Sequence, residues 1–221
     1  MKKIILFSLL IAALVVMTGC ITTGGSGRAV TGRGSMETFT IDAIDFTGIN
    51  IGGAYNLYFN QVPTFSVELE IQSNLFEHIE ANVRNGVLTF DSNRTINTTS
   101  GNAPRLTITA PDITYLNIRG AVSGDLHMDV DTLDVTISGA ATLTLAGTVH
   151  DLTVTSLGAA DINAFDLRAV RATVTVSGAS NVDVYASETL NAALSGVGRI
   201  RYDGDAEVSR RVTGIGTITR R

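Results

Sequence analysis

The side chains able to do chemistry are few, and most of them stand alone in the sequence. Four polar residues, however, recur at steps of 18 to 20 positions: Thr142, Asp161, Asn181 and Arg199. Each follows a glycine by three positions, so a repeating fold would place them in one surface column. A column with a single carboxylate lacks the paired acid and base of glycoside hydrolysis. The pattern favours a polar ladder that binds, and a carbohydrate-active β-helix enzyme using Asp161 is the alternative.

A second candidate lies between residues 125 and 134, where four aspartates surround His127. On a strand, three of them share one face with His127, because successive side chains alternate. They are Asp125, Asp129 and Asp131. Oxygen ligands of this kind suit Ca²⁺ or another hard cation. An ordinary amphipathic strand with a solvated acidic face explains the same spacing and is the preferred interpretation. No metal and no cofactor is therefore assigned.

The single cysteine, Cys20, ends a segment typical of an export signal. Met1-Lys2-Lys3 is basic, and the apolar run over residues 4–17 is too short for a comfortable transmembrane helix. Met17-Thr18-Gly19-Cys20 resembles the bacterial lipobox, although Met17 replaces the usual leucine. That resemblance implies cleavage after residue 19, lipidation of the Cys20 thiol and stable membrane attachment through more than one acyl chain. Ile21 stands where an aspartate would direct inner-membrane retention, so we expect the outer membrane.

Composition narrows the remaining functions. One cysteine excludes a disulfide scaffold, and the sparse, dispersed charge argues against a nucleic-acid partner. Lys2 and Lys3 are the only lysines, so the mature chain cannot form a Schiff base with a substrate. The expected partners are the membrane, through the lipid, and a glycan or envelope protein, with the oligomeric state left open. A sensor role in an envelope-stress pathway would need a partner that the sequence does not show.

An internal repeat positions the polar column. Glycines recur at residues 120, 139, 158, 178, 196 and 214, inside similar phrases such as Val135-Thr136-Ile137-Ser138-Gly139-Ala140. Alternating apolar and polar residues, with no room for helices, predict strands that pair with the equivalent strand of the next copy. We therefore expect an all-β, single-domain parallel β-helix, or β-solenoid, with coils of about 18–20 residues. The alternative is a β-sandwich, which would show more hairpin turns than Asn85-Gly86 and Asp203-Gly204.

The repeat also defines the domain organisation. Residues 1–19 are the lipoprotein signal peptide, and residues 20–36 are a flexible tether rich in glycine, serine and threonine. Residues 37–221 are the solenoid domain, less regular over 37–112 and built of repeated coils over 113–221. The less regular part is nevertheless strand-like over residues 38–44, 49–59, 66–71, 86–90 and 105–109. Aligning Gly53 with the later glycines places apolar residues at the expected offsets.

Four local expectations accompany this organisation. Gly124 occupies the place of an aliphatic residue, so entry into the first repeated coil is expected to be irregular. Residues 73–80 predict a helical turn capped by Ser73 or Asn74, and residues 93–102 predict a flexible polar loop. Arg210-Arg211 and Arg220-Arg221 lie on and after the last copy. Their charge is expected to discourage end-to-end strand pairing, and contact with anionic lipid or glycan is the alternative.

Several phrases together carry a family resemblance. Gly48-Ile49-Asn50 is followed by Gly52-Gly53-Ala54, then by Val67-Glu68-Leu69-Glu70 and by Asn85-Gly86-Val87-Leu88-Thr89-Phe90. With the closing Thr213-Gly214-Ile215-Gly216-Thr217-Ile218, they resemble the "putative auto-transporter adhesin, head GIN domain" family over about residues 38–220. The resemblance implies a bacterial exported protein, often a lipoprotein, with parallel β-helix character. It implies little about activity, because the family has no established biochemical function.

Overall fold

The structure is a computed structural model that describes residues 29–99, 101 and 103–221. Strands dominate these residues. They are β1 (Val30–Thr31), β2 (Met36–Thr40), β3 (Gly48–Ile51), β4 (Ala54–Gln61), β5 (Ser66–Gln72), β6 (Ile79–Arg84), β7 (Val87–Ser92), β8 (Ile96–Asn97), β9 (Arg105–Ala110), β10 (Tyr115–Ile118), β11 (Ala121–Ile137), β12 (Ala140–Ser156), β13 (Ala159–Val176), β14 (Ala179–Leu194), β15 (Val197–Asp203), β16 (Glu207–Val212) and β17 (Ile215–Arg220). The one helix in this part of the chain is α1 (Ser73–Phe76).

The strands from β10 to β17 stack in parallel, one coil upon the next. Residues one repeat apart are direct partners, as in Thr142 opposite Asp161 and Asp161 opposite Asn181. The beginning of β11 pairs with β4, whereas its end pairs with β10, so the long strand contributes to two ladders. The stack forms a β-solenoid of about six turns. The predicted fold class is confirmed, and the β-sandwich alternative is wrong because these pairings are parallel.

Two surfaces of the stack matter for function. The approach face consists of the segments that lead into each repeat glycine, namely β3, β10, the ends of β11 to β14, and β16. The exit face consists of the segments that follow the glycine, namely β4, the beginnings of β11 to β14, β15 and β17. Along both faces, inward residues alternate with outward ones, as the burial of Ala141, Leu143 and Leu145 in β12 illustrates.

Aliphatic side chains from both faces fill a single core. Leu143, Ile162 and Val182 occupy successive coils of one inward column and are almost completely buried. One polar pair interrupts the core: the Ser156 and Ser180 hydroxyls lie 2.7 Å apart, and Ser180 Oγ accepts a hydrogen bond from the Ala160 amide. The pair is satisfied internally, as buried polar groups require. The described residues therefore form a hydrophobic core that is shielded from solvent.

The first half supplies one further coil and the cap of the stack. β3 and β4 form this coil, with Gly53 at its corner and Ala54 opposite Ala121, as the alignment of Gly53 predicted. Beyond it, β7 and β9 continue the two ladders in parallel, and antiparallel strands then close the end. The β6–β7 hairpin turns at Asn85-Gly86, where both residues have positive φ. An antiparallel cap leaves no parallel edge exposed at this end.

Three local expectations need correction. The coil at Gly124 is regular, because β11 keeps register with β12 and Leu126 lies opposite Leu145. The irregularity lies instead in β13, where residues 165–167 bulge out of register with β14. The helical turn is limited to α1, and its N-cap residue is Gln72, without a side-chain cap. Strand β6 takes over from Ile79, because pairing with β7 outweighs a short helix.

The predicted tether extends into the described residues, and there its end is attached. The Val30 amide donates to the Thr95 carbonyl and the Gly32 amide to the Asn97 carbonyl, each at 2.8 Å. β1 thereby pairs with β8, which lies in the segment that was predicted to be a flexible loop. Strand pairing among the described residues therefore begins at Val30, ahead of the predicted start of the solenoid domain at residue 37. Residues 1–28, which include the predicted signal peptide and Cys20, lie outside the described residues, and within the described part no helix is long and apolar enough to cross a bilayer.

Candidate binding site

Stacked glycines form the corner that opens the exit face. A Cβ atom on Gly139 would lie well inside van der Waals contact with the Gly120 carbonyl oxygen, and the same holds for Gly158 against Gly139. The neighbouring amide of Ala140 donates to the Gly120 carbonyl at 2.8 Å. Because backbone rests on backbone, no side chain fits at this corner. The residue after each glycine consequently occupies the same place in every coil.

That residue is alanine in five successive coils, which creates a smooth, exposed strip. Its members pair in sequence across the sheet: Ala54, Ala121, Ala140, Ala159 and Ala179. The strip is the floor of a groove with a volume of about 480 Å³. Thr98, Ala103 and Pro104 form one wall, which is fixed to the first coil because the Asn56 amide donates to the Pro104 carbonyl at 2.8 Å. We call this feature the alanine groove.

Two residues of the predicted polar column, Thr142 and Asp161, form the other side of the groove, and the column continues beyond it. Thr142, Asp161, Asn181 and Arg199 are direct partners along the exit face and are exposed, as the repeat predicted. Asn56 and Ser123 extend the same column toward the cap. Among the described residues, none of these side chains makes a hydrogen bond or ion pair with another. Their hydrogen-bonding capacity is directed to whatever occupies the groove or the solvent.

The next outward column differs because its charges are paired within the protein. Arg201 Nε donates to Asp183 Oδ1 at 2.7 Å, and Arg201 Nη2 donates to the other carboxylate oxygen. The guanidiniums of Arg201 and Arg221 also lie over the Phe165 ring, the latter with its Cζ 4.8 Å from the ring centroid. Phe165 belongs to the β13 bulge, which redirects its side chain outward. Asp183 therefore adds no second free carboxylate beside Asp161.

A separate ionic cluster lies where the chain bends toward the approach face. Arg171 Nε donates to Asp151 Oδ1 at 2.7 Å, and His150 Nδ1 lies 3.0 Å from Asp151 Oδ2. The hydrogen bonds from Arg171, followed by that from His150, lower the pKa of Asp151 to about 2. The cluster is solvent-exposed and its charges satisfy one another, so it links β12 to β13 across neighbouring coils.

The acidic segment lies on the outer surface of β11. Asp125, His127, Asp129 and Asp131 alternate with buried Leu126, Met128 and Val130. Asp129 is engaged within the protein, since the Thr148 hydroxyl donates to its carboxylate at 2.7 Å. In the described part of the chain, no three His, Cys, Asp or Glu side chains come together as a metal site requires.

Arg210 and Arg220 lie in the last coil, at the end of the stack. Arg210 lies opposite Ala192, so it takes a place that is apolar in the preceding coils. Its Nη1 donates to the Ile218 carbonyl at 3.4 Å, and Arg220 Nη2 donates to the Gly204 carbonyl at 2.9 Å. An arginine in an inward-facing position of a terminal strand makes pairing with another strand unfavourable.

The sequence interpretation missed Tyr55, the residue that closes the groove toward the cap. Its side chain is only 4% exposed and lines both the alanine groove and an adjoining cavity of about 280 Å³. The ring lies against Gly53, where an added Cβ would meet Tyr55 Cε2 at 2.6 Å. The pair Gly52-Gly53 was the sequence signal that could have indicated Tyr55, because two residues without side chains leave space for the ring of a nearby aromatic residue. The cavity wall comes from distant segments, which the repeat does not predict.

The sequence matches a known protein family over most of its length. A family model described as "Putative auto-transporter adhesin, head GIN domain" matches residues 45–206. The chain belongs to this family. The matched region runs from the cap through the repeated coils and contains the alanine groove. Membership of the head GIN family indicates an exported, envelope-associated protein whose relatives are described as adhesins.

Solved structures support the fold. A crystal structure described as a putative adhesin from Bacteroides fragilis has a TM-score of 0.68 and 21% identity, covering 87% of this chain and 100% of that chain. Putative adhesins from Parabacteroides distasonis and Parabacteroides merdae each have a TM-score of 0.53. Their identities are 19% and 16%, and they cover 87% of this chain and 100% and 99% of their own. Such identities show a shared fold alone. None of the curated proteins matches the chain.

Proposed function

We propose that this protein is a lipid-anchored, non-catalytic binding module of the bacterial envelope with an adhesion-like role. The observation that carries the proposal is the exposed polar column of the exit face. Thr142, Asp161 and Asn181 occupy successive coils about 4.8 Å apart and have no hydrogen-bond partner among the described residues. Repeated weak contacts along such a row add up by multivalency, so a long partner gains affinity without a deep pocket.

The partner class is a glycan or an envelope protein. Polar groups held on a rigid sheet lose little entropy when they bind, which favours recognition by preorganised hydrogen bonds. The exit-face column contains one carboxylate, Asp161, and the nearby Asp183 is held by Arg201. This arrangement supports binding over hydrolysis, which needs two carboxyl groups with distinct roles.

Binding and catalysis are separated by one assay. The chain from Gly24 onward retains every described residue and is incubated with bacterial envelope polysaccharides and envelope protein extracts. We expect retention of a partner without any change in its chain length, and weaker retention by the triple variant Thr142→Ala, Asp161→Asn, Asn181→Ala. Arg168→Ala, on the side of the stack beyond the Phe165 bulge, serves as the control. Turnover of a polysaccharide that is lost in Asp161→Asn would replace the binding proposal by the enzyme alternative.

The anchor rests on Cys20 and its surroundings. A Cys20 thiol that is lipidated carries acyl chains into the membrane, and Ile21 supports sorting to the outer membrane. Metabolic labelling with palmitate tests this directly. We expect the full-length chain to incorporate label and Cys20→Ser to incorporate none, with release from the outer-membrane fraction. A wild-type chain that takes up no label contradicts the anchor but leaves the binding proposal intact.

A further inference from the structure

The cavity beside Tyr55 extends the alanine groove toward the cap. Both spaces share Ala54, Tyr55, Thr98, Pro104 and Ala121 in their linings, so they form one continuous cleft. The groove crosses five coils, which corresponds to roughly 19 Å at a strand spacing of about 4.8 Å. The cleft is therefore long and narrow, and it runs along the stack rather than along the strands.

Tyr55 points an unused hydrogen-bond donor into this cleft. The side chain is 4% exposed, yet its hydroxyl has no partner among the described residues. Every fully buried side-chain nitrogen or oxygen in that part of the chain is hydrogen-bonded, so the hydroxyl must be the portion that reaches the cavity. Burial and then the charge of Asp91 raise the pKa of Tyr55 to about 12, which keeps the phenol protonated. A nearly buried donor that has no partner within the described residues and opens onto a cavity is available to the acceptor group of a ligand.

The end cavity has an apolar part beside polar groups such as Ser92 and Thr98. Ile71, Ile79, Ile96 and Pro104 line the end cavity around Tyr55. An acetamido group matches this combination, since its methyl group requires an apolar pocket and its carbonyl oxygen requires a donor. A free carboxylate or phosphate fits less well, because Asp161 is the only charged residue in the described lining of the cleft and Arg119, the cation beside Gly52, is paired with Asp91. The chemistry favours a neutral ligand.

Along the rest of the groove, the spacing between coils is close to the length of one sugar ring in an extended glycan. Ala121, Ala140 and Ala159 present methyl groups on which the C–H face of a pyranose packs. Asn56, Ser123 and Thr142 present donors and acceptors at the side, one in each coil. One ring of an extended β-1,4-linked glycan advances by nearly the spacing between coils, and because successive rings are turned over, the same substituent recurs at every second coil. An extended peptide repeats every two residues, about 6.7 Å, and loses register with a column spaced at about 4.8 Å.

We propose that the alanine groove and its end cavity bind an unbranched, β-linked glycan carrying N-acetyl groups, with one acetamido group seated against Tyr55. This inference rests on the proposed binding function and names the ligand class for that surface. The glycan lies along the stack, its rings over the alanine strip and its hydroxyl groups beside the polar column.

The test compares two hexasaccharides with the same linkage by isothermal titration calorimetry on the chain from Gly24 onward. One is a β-linked N-acetylglucosamine hexamer, and the other is the glucose hexamer, which lacks the acetamido groups. We expect the first to bind at least tenfold more tightly. Tyr55→Phe removes only the hydroxyl and should weaken binding about five- to tenfold, the worth of one hydrogen bond in a partly buried site. Ala140→Phe fills the groove and should abolish binding.

Two controls separate folding from recognition. Tyr58→Phe alters a tyrosine of the same strand that lies under Arg105, outside the groove, and should leave affinity unchanged. Thermal unfolding of each variant should match the parent chain. Equal binding of both hexamers, or no effect of Tyr55→Phe, overturns the assignment of the acetamido group. If neither hexamer binds while envelope material is still retained, the glycan inference fails and the proposed function survives; if nothing is retained, both fail.

Discussion

At the scale of single residues, the glycine corner is the most demanding position in the fold. Each repeat glycine rests on the carbonyl oxygen of the glycine one coil below, so the contact is made by backbone on both sides. Backbone cannot rotate away as a side chain can, and relief would require separating two coils. Loss of close packing in this way costs more than an ordinary surface substitution.

Gly158→Ala should therefore destabilise the domain by about 2 kcal/mol or more. Its Cβ would collide with the Gly139 carbonyl oxygen in the middle of the stack. Urea denaturation followed by circular dichroism measures the change in the free energy of unfolding. Ala159→Ser, one residue further and exposed, is the matched control and should stay within about 0.5 kcal/mol of the parent. Equal stability of Gly158→Ala and the parent chain would contradict the stacked corner.

The Asp151 carboxyl group should titrate unusually low, with a pKa of about 2 instead of 3.8, chiefly because Arg171 hydrogen-bonds to it. A pKa that is lower in the folded state means that the deprotonated form stabilises the fold. That contribution is complete above about pH 4 and is lost as the pH falls through about 2.

Arg171→Gln should raise the pKa of Asp151 toward its ordinary value, as carbon NMR of the carboxyl groups can follow. Arg201→Gln removes a comparable arginine from Asp183 and should leave Asp151 unchanged. An Asp151 pKa that stays near 2 in Arg171→Gln would assign the shift to another cause.

At the scale of elements, the repeated strands and most strands of the cap could be predicted from the sequence, whereas the pairing of the cap strands could not. The spacing of glycines fixes which residues pair between coils, so Thr142, Asp161, Asn181 and Arg199 come together as expected. The β13 bulge at Phe165 and the attachment of β1 to β8 depend on contacts between distant segments. Such contacts have no local period, and Tyr55 was missed for the same reason.

The two ends of the stack use different elements to prevent edge pairing. The first end is covered by antiparallel strands, whereas the last coil keeps an open edge in β16 and β17. Arg210 occupies an inward position of that edge, where Ala192 and Val174 stand in the preceding coils. A second strand added there would have to accommodate its charge.

Arg210→Val should therefore promote association through the last coil. The substitution restores an apolar column at an edge that already exposes Val212 and Ile215. Sedimentation velocity at several protein concentrations should show dimers or larger species for Arg210→Val and fewer for the parent chain. Arg199→Val, on the outward side of the neighbouring β15, changes the net charge equally and is the control. Association of both variants to the same extent would make net charge, rather than the inward position, responsible.

At the scale of the whole molecule, the solenoid is a one-dimensional stack in which each coil is supported by its neighbours. A middle coil such as β12 has partners on both sides, whereas β17 pairs with β15 alone in the described ladder. One inward column shows the same trend, since Val182 and Ile200 are completely buried and Ile218, in the last strand, is 7% exposed. Stability in such a stack is a sum of coil and interface contributions, so the coil with one interface should open first.

Amide hydrogen exchange should record this gradient directly. The Ile215 amide donates to the Gly196 carbonyl at 2.9 Å and the Ala159 amide to the Gly139 carbonyl at 3.0 Å, so the two are equally bonded. We nevertheless expect Ile215 to exchange at least tenfold faster, because opening the last coil breaks one interface and opening a middle coil breaks two. Mass spectrometry of exchanged peptides, read at constant pH, distinguishes the two regions. Uniform protection from β11 to β17 would mean that the domain opens only as a whole, and the end-to-centre gradient would then be wrong.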